Sequence, residues 1–263
     1  MNLLTNTLYI VSTPIGNLDD ITLRAIEVLK NSDIILCEDT RHSLKLLNHL
    51  KIKKKLISYH KFNERKQINS VIEHLKQGKI LSLISDAGTP LLSDPGQILL
   101  KECIKKGIKV VPIPGTSSIT SAMSVSGFKD KFLFYGFLPK TENELKKILK
   151  ILNIEIFSLV FFIPAIKLNF YINYFKKFFP DRKILIAREM TKKYETYYRE
   201  NVNNLTVFKT QLKGELTIVI SPKIKKQMLT TDYVKIEKQV IKYLKDNTVK
   251  DTVELLSLKE KVP

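Results

Sequence analysis

Ser85-Asp86-Ala87-Gly88-Thr89-Pro90 brings a carboxylate, a small residue, a glycine and a proline together directly after the apolar run Lys79-Ile80-Leu81-Ser82-Leu83-Ile84. The run reads as a buried strand and the hexapeptide as a turn at its carboxyl end, the edge where open α/β sheets bind ligands. Gly88 permits a left-handed backbone or a close approach to a ligand, although a turn of this composition would also serve simply to end a strand. Further carboxylates follow other apolar runs: Asp39 after Ile34–Cys37, Glu189 after Lys183–Ala187, and Glu215 ahead of Leu216–Ile220. The sequence has no G-x-G-x-x-G after its first strand, no P-loop lysine motif, no Gly-x-Ser-x-Gly elbow and no Cys/His pair suited to nucleophilic catalysis. His42, His49, His60 and His74 show no metal-ligand spacing, and Cys37 and Cys103 lie in apolar runs as core residues do, so no metal is expected. A cleft lined by backbone amides, small residues and carboxylates suits a nucleoside-like cofactor.

The elements that must position these residues alternate. Strands at Leu8–Val11, Ile34–Cys37, Leu56–Tyr59, Lys79–Ile84 and Lys109–Val111 are separated by stretches with helical apolar spacing, the first expected to be capped by Asp20. This βα alternation predicts a mostly parallel sheet, with the turns Thr13–Gly16, Ser85–Pro90 and Pro112–Ser118 converging on one edge. A boundary is expected near 124. Residues 1–124 then form an N-terminal α/β domain, and 125–222 a second α/β domain with more hairpin character. Residues 223–263 form a basic helical tail, minimal or incomplete because a third helix is not reached. Its lysines, including Lys235, Lys238, Lys242 and Lys245, face away from an apolar stripe, and Thr248 with Asp251 can start its second helix.

The formal charge of +18 over 263 residues favours a polyanionic partner such as RNA. Only six basic residues are arginine, and the excess of lysine beside much Ile and Asn is also what an A/T-rich genome imposes. The first residues lack a basic n-region with a long apolar core, and Ile156–Ile166 is too short to span a bilayer, so a cytoplasmic, non-membrane protein is expected.

Seven segments, in order, carry a resemblance: Leu8 to Thr22, Glu38-Asp39-Thr40-Arg41, Ser85 to Pro90 with Asp94-Pro95-Gly96, Pro112 to Gly115, Gly136 to Pro139, Ala187 to Lys192, and Lys213-Gly214-Glu215. Together they resemble the ribosomal RNA small-subunit 2′-O-methyltransferases of the tetrapyrrole methylase superfamily. The resemblance implies two α/β domains with S-adenosylmethionine in the cleft between them, a homodimer, and methylation of a cytidine ribose 2′-hydroxyl in the decoding region of 16S rRNA in the small ribosomal subunit. It places Pro14, Asp86, Ala87, Gly88, Thr89, Leu92, Ser117, Ser118, Ile163 and Thr217 at the cofactor. The chain departs from the family at Ile163-Pro164-Ala165-Ile166-Lys167, where a carboxylate, a histidine and an arginine are usual, and at Lys140-Thr141-Glu142, where a basic cluster is usual.

A ribose hydroxyl attacking a sulfonium methyl needs alignment and removal of one proton. Of the strand-end carboxylates Asp39, Asp86, Glu189 and Glu215, Asp39 is the expected base, with Arg41 orienting a phosphate; Asp86 is the nearest rival, although its glycine turn suits a cofactor role better, and Glu189 is the further candidate. Glu38-Asp39-Thr40-Arg41 also reads as a capped helix start, and Arg188-Glu189 as an ion pair between domains. A methylase of a small tetrapyrrole-like metabolite and a catalytically weak RNA-binding ribosome assembly factor are the competing functions on the same fold.

Overall fold

The computed structural model describes residues 3–223 and 233–260. They fall into two compact units, Met1–Lys223 and Ile224–Pro263. In the first unit β1 (Thr7–Val11), β2 (Ile34–Cys37), β3 (Lys55–Ser58), β4 (Ile80–Ile84) and β5 (Lys109–Ile113) form a sheet of order β3-β2-β4-β1-β5. Every pairing in it is parallel. Its apolar strands are covered on both faces, as a parallel sheet requires. Strand alternation sends Leu8, Ile10, Leu36, Leu81 and Leu83 to one core and Tyr9, Val11, Ile35, Cys37 and Ile84 to the other.

The crossover helices are α1 (Leu23–Asn31), α2 (Thr40–His49), α3 (Glu64–Lys76) and α4 (Gln97–Lys105). Thr22 caps α1 by accepting from the Ala25 amide at 3.1 Å, whereas the expected cap, Asp20, ends a 3-10 turn over Leu18–Asp20. The short helix turn shifts the start of α1 by two residues, and a threonine meets the need for a cap there. A helix that the Pro/Gly run conceals, α5 (Ser118–Ser124), follows β5.

The second sheet runs β6 (Phe132–Phe137), β7 (Ser158–Pro164), β10 (Glu215–Ile220), β8 (Lys183–Arg188), β9 (Thr196–Asn201), in that spatial order. Only β6 and β7 pair in parallel; the other pairings are antiparallel. Strand β6 continues past Tyr135 where a turn is expected, because a bulge between Phe134 and Gly136 absorbs the glycine at φ +86°. Helices α6 (Glu142–Asn153) and α7 (Leu168–Phe178) cover one face of this sheet with Leu145, Leu149, Tyr171 and Phe175.

The second unit contains α8 (Tyr233–Tyr243) and α9 (Val249–Glu260). Thr248 and Asp251 cap α9 reciprocally, with the Asp251 amide donating to Thr248 Oγ1 at 3.3 Å and the two side chains 2.6 Å apart. The side chain of Lys235 lies outside the described residues. Among the described residues no helix is long and apolar enough to cross a membrane.

Arg182 anchors the second sheet. Its side chain is 2% exposed, lies over the Phe179 ring, and donates to the carbonyls of Asn153 at 2.9 Å and Glu155 at 2.8 Å. Burial lowers its pKa to about 10. Arg182→Met keeps the volume but strips these carbonyls of their donor, which should cost roughly 2–3 kcal/mol. The urea midpoint should fall accordingly, and an unchanged midpoint would show that water replaces the guanidinium at no cost.

Candidate functional site

Three strand ends are tied together before any ligand is considered. The Thr13 amide donates to the Gly88 carbonyl at 2.9 Å, and the Gly88 amide returns a bond to the Thr13 carbonyl at 3.0 Å. Thr116 Oγ1 donates to the same Thr13 carbonyl at 2.5 Å, and Thr89 Oγ1 to the Thr116 carbonyl at 3.1 Å. The turns after β1, β4 and β5 are thereby one body. Gly88 has φ +76°, and a Cβ there would meet Ile15 Cγ2 at 3.2 Å. Its amide is spent on Thr13 and is no donor for a ligand. A Gly88→Val change would thus strain this bridge first, and its effect on a ligand could not be separated from that strain.

Beside this body lies a cavity of about 400 Å³, within the roughly 300–1,000 Å³ usual for small-molecule sites. Asp86, Ala87, Gly88, Thr89, Leu92, Ser117, Ser118, Ile163 and Thr217 all line it, the first seven from the strand ends of the first sheet and the last two from β7 and β10. Pro14 does not; it lines a second cavity of about 290 Å³ on the other side of the β1 turn. Sequence reasoning misses Phe162 and Met190, which give the first cavity its apolar wall from the second sheet, and Asp94. For Asp94 the signal lies in Asp94-Pro95-Gly96, a motif whose carboxylate the sequence alone gives no separate role.

Asp94 follows two non-glycine residues in the left-handed region, Leu91 at φ +74° and Ser93 at +75°. That backbone turns its carboxyl inward. Burial, a hydrogen bond to Ser85 that favours the charged form, and the negative charges of Glu38 and Asp86 leave its pKa raised to about 6. Burial and Asp86 likewise raise Glu38.

The structure does not bring Asp39 and Arg41 to the lining of either cavity. Asp39 is the N-cap of α2: Oδ1 accepts from the Arg41 amide at 2.8 Å, and Arg41 Nη2 donates to Oδ2 at 2.7 Å. Those bonds hold its carboxyl far below the usual carboxylate range, which leaves a weak proton acceptor. Arg41 is thus engaged with Asp39. Glu189, at φ +50°, clamps the start of β10 by accepting from the Glu215 amide at 2.8 Å, and pairs with Lys192 at 3.1 Å. Arg188 donates from Nε to the Lys213 carbonyl at 2.9 Å rather than pairing with Glu189. Asp86 and Glu215 are the carboxylates that line both cavities, and Glu215 is paired with Lys192 at 3.0 Å. Asp86 Oδ1 accepts from the Asp39 amide at 3.2 Å, which fixes this side chain against the start of α2.

The first cavity fits S-adenosylmethionine by the chemistry of its lining. Ile15, Ile119, Phe162 and Met190 supply apolar surface that suits a purine, the Ser117 side chain makes no cap bond within α5, and Asp86 and Asp94 bring to the lining carboxyl groups that suit an ammonium and a sulfonium. Among the described residues no group of three metal-ligating side chains forms.

The raised Asp94 value sets a pH dependence. The native state holds this proton more tightly than the unfolded chain does, so stability falls as pH rises from about 4 to about 6 and is level above that window. Asp94→Asn should remove that fall, so the melting temperature of the variant relative to the parent should climb across the window. Parallel curves from pH 4 to 7 would contradict the placement of Asp94.

Residues 7–206 match the model of the Tetrapyrrole (Corrin/Porphyrin) Methylases. A ribosomal RNA small subunit methyltransferase I from Mesomycoplasma conjunctivae is 43% identical over 237 residues, covering 89% of this chain and 99% of that protein. One of the same name from Thermotoga maritima is 44% identical over 219 residues, covering 82% and 98%. In fold, the methyltransferase CobJ superposes with TM-score 0.63 at 15% identity, covering 82% of this chain and 93% of that one. Uroporphyrin-III C-methyl transferase from Thermus thermophilus, solved with the demethylated cofactor S-adenosylhomocysteine, superposes with TM-score 0.58 at 14% identity, covering 82% and 97%. The chain belongs to the tetrapyrrole methylase family and is an S-adenosylmethionine-dependent methyltransferase.

Proposed function

We propose that the protein methylates the ribose 2′-hydroxyl of a cytidine in the decoding region of 16S rRNA, on the small ribosomal subunit, as a cytoplasmic homodimer. One observation carries the choice of RNA over a small metabolite. Identity is 43% to a relative named for small-subunit rRNA methylation and 14% to the uroporphyrin methylase that shares the fold. The formal charge of +18 agrees with a polyanionic partner. The homodimer rests on the family resemblance.

The bound cofactor supplies an electrophilic methyl group on a sulfonium. Transfer of that methyl to the ribose oxygen would leave the sulfur with the bonding electron pair and would require a carboxylate of this chain to take the hydroxyl proton. Asp86 is our choice for that proton: it and Glu215 are the two carboxylates that border both cavities, and Glu215 is held in an ion pair by Lys192 at 3.0 Å. The Asp39 amide holds one of the Asp86 oxygens, which orients the other. Asp39 acts through Asp86 and through α2, as a positioning residue. Thr13 and Thr116 hold the turns against each other, so the distance between donor and acceptor is set before either binds. The segment Ile163 to Lys167, where the chain departs from its family, contributes Ile163 and Pro164 to the wall and leaves Ile166 and Lys167 exposed. Its role is apolar enclosure rather than charge.

Incubation with small subunits from cells lacking the enzyme should place one methyl on the ribose of a cytidine, as read by mass spectrometry of the digested RNA. A methylated base, or a methylated porphyrin precursor with the subunit untouched, would contradict this function. Asp86→Asn should lower methyl transfer by about 100- to 10,000-fold at saturating cofactor and RNA. Asp39→Asn, which preserves a good capping side chain, should retain most of it. The reverse order of losses would return the proton to Asp39.

A further inference from the structure

The second cavity is built, and the reading above leaves it without an occupant. It holds about 290 Å³ between the β1 turn, the first turns of α2 and the end of β4, and it shares Ile15, Asp86, Ala87 and Glu215 with the cofactor cavity. Two sites that share a wall containing a carboxylate are what a transfer between two bound molecules needs. Three cationic or protonatable side chains line this second space: His42 and Lys45, one helical turn apart on α2, and Lys192. Lys192 is held by Glu189 at 3.1 Å and Glu215 at 3.0 Å. His42 and Lys45 are exposed, and neither is in an ion pair among the described residues.

An independent feature points to a polar ligand. Ser43 lines the same space, is 2% exposed, and its hydroxyl has no hydrogen-bond partner among the described residues beyond the weakly polar thiol of Cys37. A buried hydroxyl without a partner costs stability unless something completes it. The space suits a sugar-phosphate unit and is too small for a ring system of four pyrroles.

We propose that this second cavity is the acceptor subsite. It takes a single ribonucleotide drawn out of the RNA, with Lys45 and His42 at its phosphate, Ser43 within reach of the sugar, and the 2′-hydroxyl directed at Asp86 through the shared wall. Extrusion of one nucleotide is the usual solution for enzymes whose target atom is otherwise inaccessible. The inference rests on the proposed RNA methylation. It adds where the acceptor sits and which residues hold it.

Lys45→Glu reverses an exposed charge at the phosphate position, and Leu18→Trp narrows the mouth, since Leu18 is exposed and lines the cavity. Both should bind S-adenosylhomocysteine within about twofold of the parent protein by calorimetry, and both should raise KM for undermethylated small subunits at least tenfold. For Lys45→Glu, the slope of log affinity against log salt for subunit binding should also drop by about 0.7 to 0.9, the share of one phosphate contact. Parent-like KM and salt slope in Lys45→Glu would overturn the inference. So would a loss of S-adenosylhomocysteine binding equal to the loss of subunit binding, because it would make the two cavities one site. Uroporphyrin binding that Lys45→Glu abolishes while subunit binding stays intact would assign the cavity to an acidic metabolite and overturn it as well. Failure of the parent protein itself to methylate subunits would instead strike the proposed function, and the two failures are told apart without any variant.

Discussion

The two-way backbone bridge between Thr13 and Gly88 is the constraint on which the site depends. Strands β4, β1 and β5 lie side by side, so their carboxyl ends are close, but nearness alone leaves three separate loops. The bridge joins the first two, and the hydroxyls of Thr116 and Thr89 add the third. With backbone groups satisfied internally, the turns need no ligand to become ordered, and a cofactor meets a wall already formed. Gly88 serves this arrangement through its left-handed backbone at φ +76°, and Asp86 and Ala87 line the cavity beside it.

The charge distribution divides the labour. A chain of formal charge +18 gathers Glu38, Asp86 and Asp94 at the end of one sheet, where burial first, and the neighbouring carboxylates after it, raise the pKa of Glu38 and Asp94. Such crowding is costly to the fold and persists where a cationic ligand relieves it. A sulfonium with its ammonium group is such a ligand. The lysine-rich composition meanwhile suits a phosphate backbone, so in the proposed function one protein presents opposite potentials to its cofactor and to RNA.

Much of this architecture is legible in the sequence. The βα alternation gives the parallel sheet, because continuous apolar runs followed by Gly or Pro can hardly be anything else. The Pro/Gly runs at 13–16, 85–90 and 112–118 fall at the adjoining strand ends. Other features stay hidden for physical reasons. Asp39 as base and Asp39 as helix cap call for the same residue type in the same place, and only the bonds to Arg41 separate them. Asp94 owes its place to left-handed Leu91 and Ser93, a conformation that neither residue type announces. Phe162 and Met190 reach the cavity through the pairing of β7, β10 and β8, which is antiparallel and long-range, so local pattern carries no trace of it.

The central claim is that the clasped turns hold the cofactor against Asp86, with the acceptor on the far side of that carboxylate. A crystal structure of the protein with S-adenosylhomocysteine tests it most directly. The account predicts the nucleoside between residues 86–89, Ser117–Ser118 and Thr217, the sulfur facing the wall shared with the second cavity, and the Thr13–Gly88 bridge unchanged. A cofactor seated in the cavity beside His42 and Lys45, or a bridge that opens to admit it, would contradict the account.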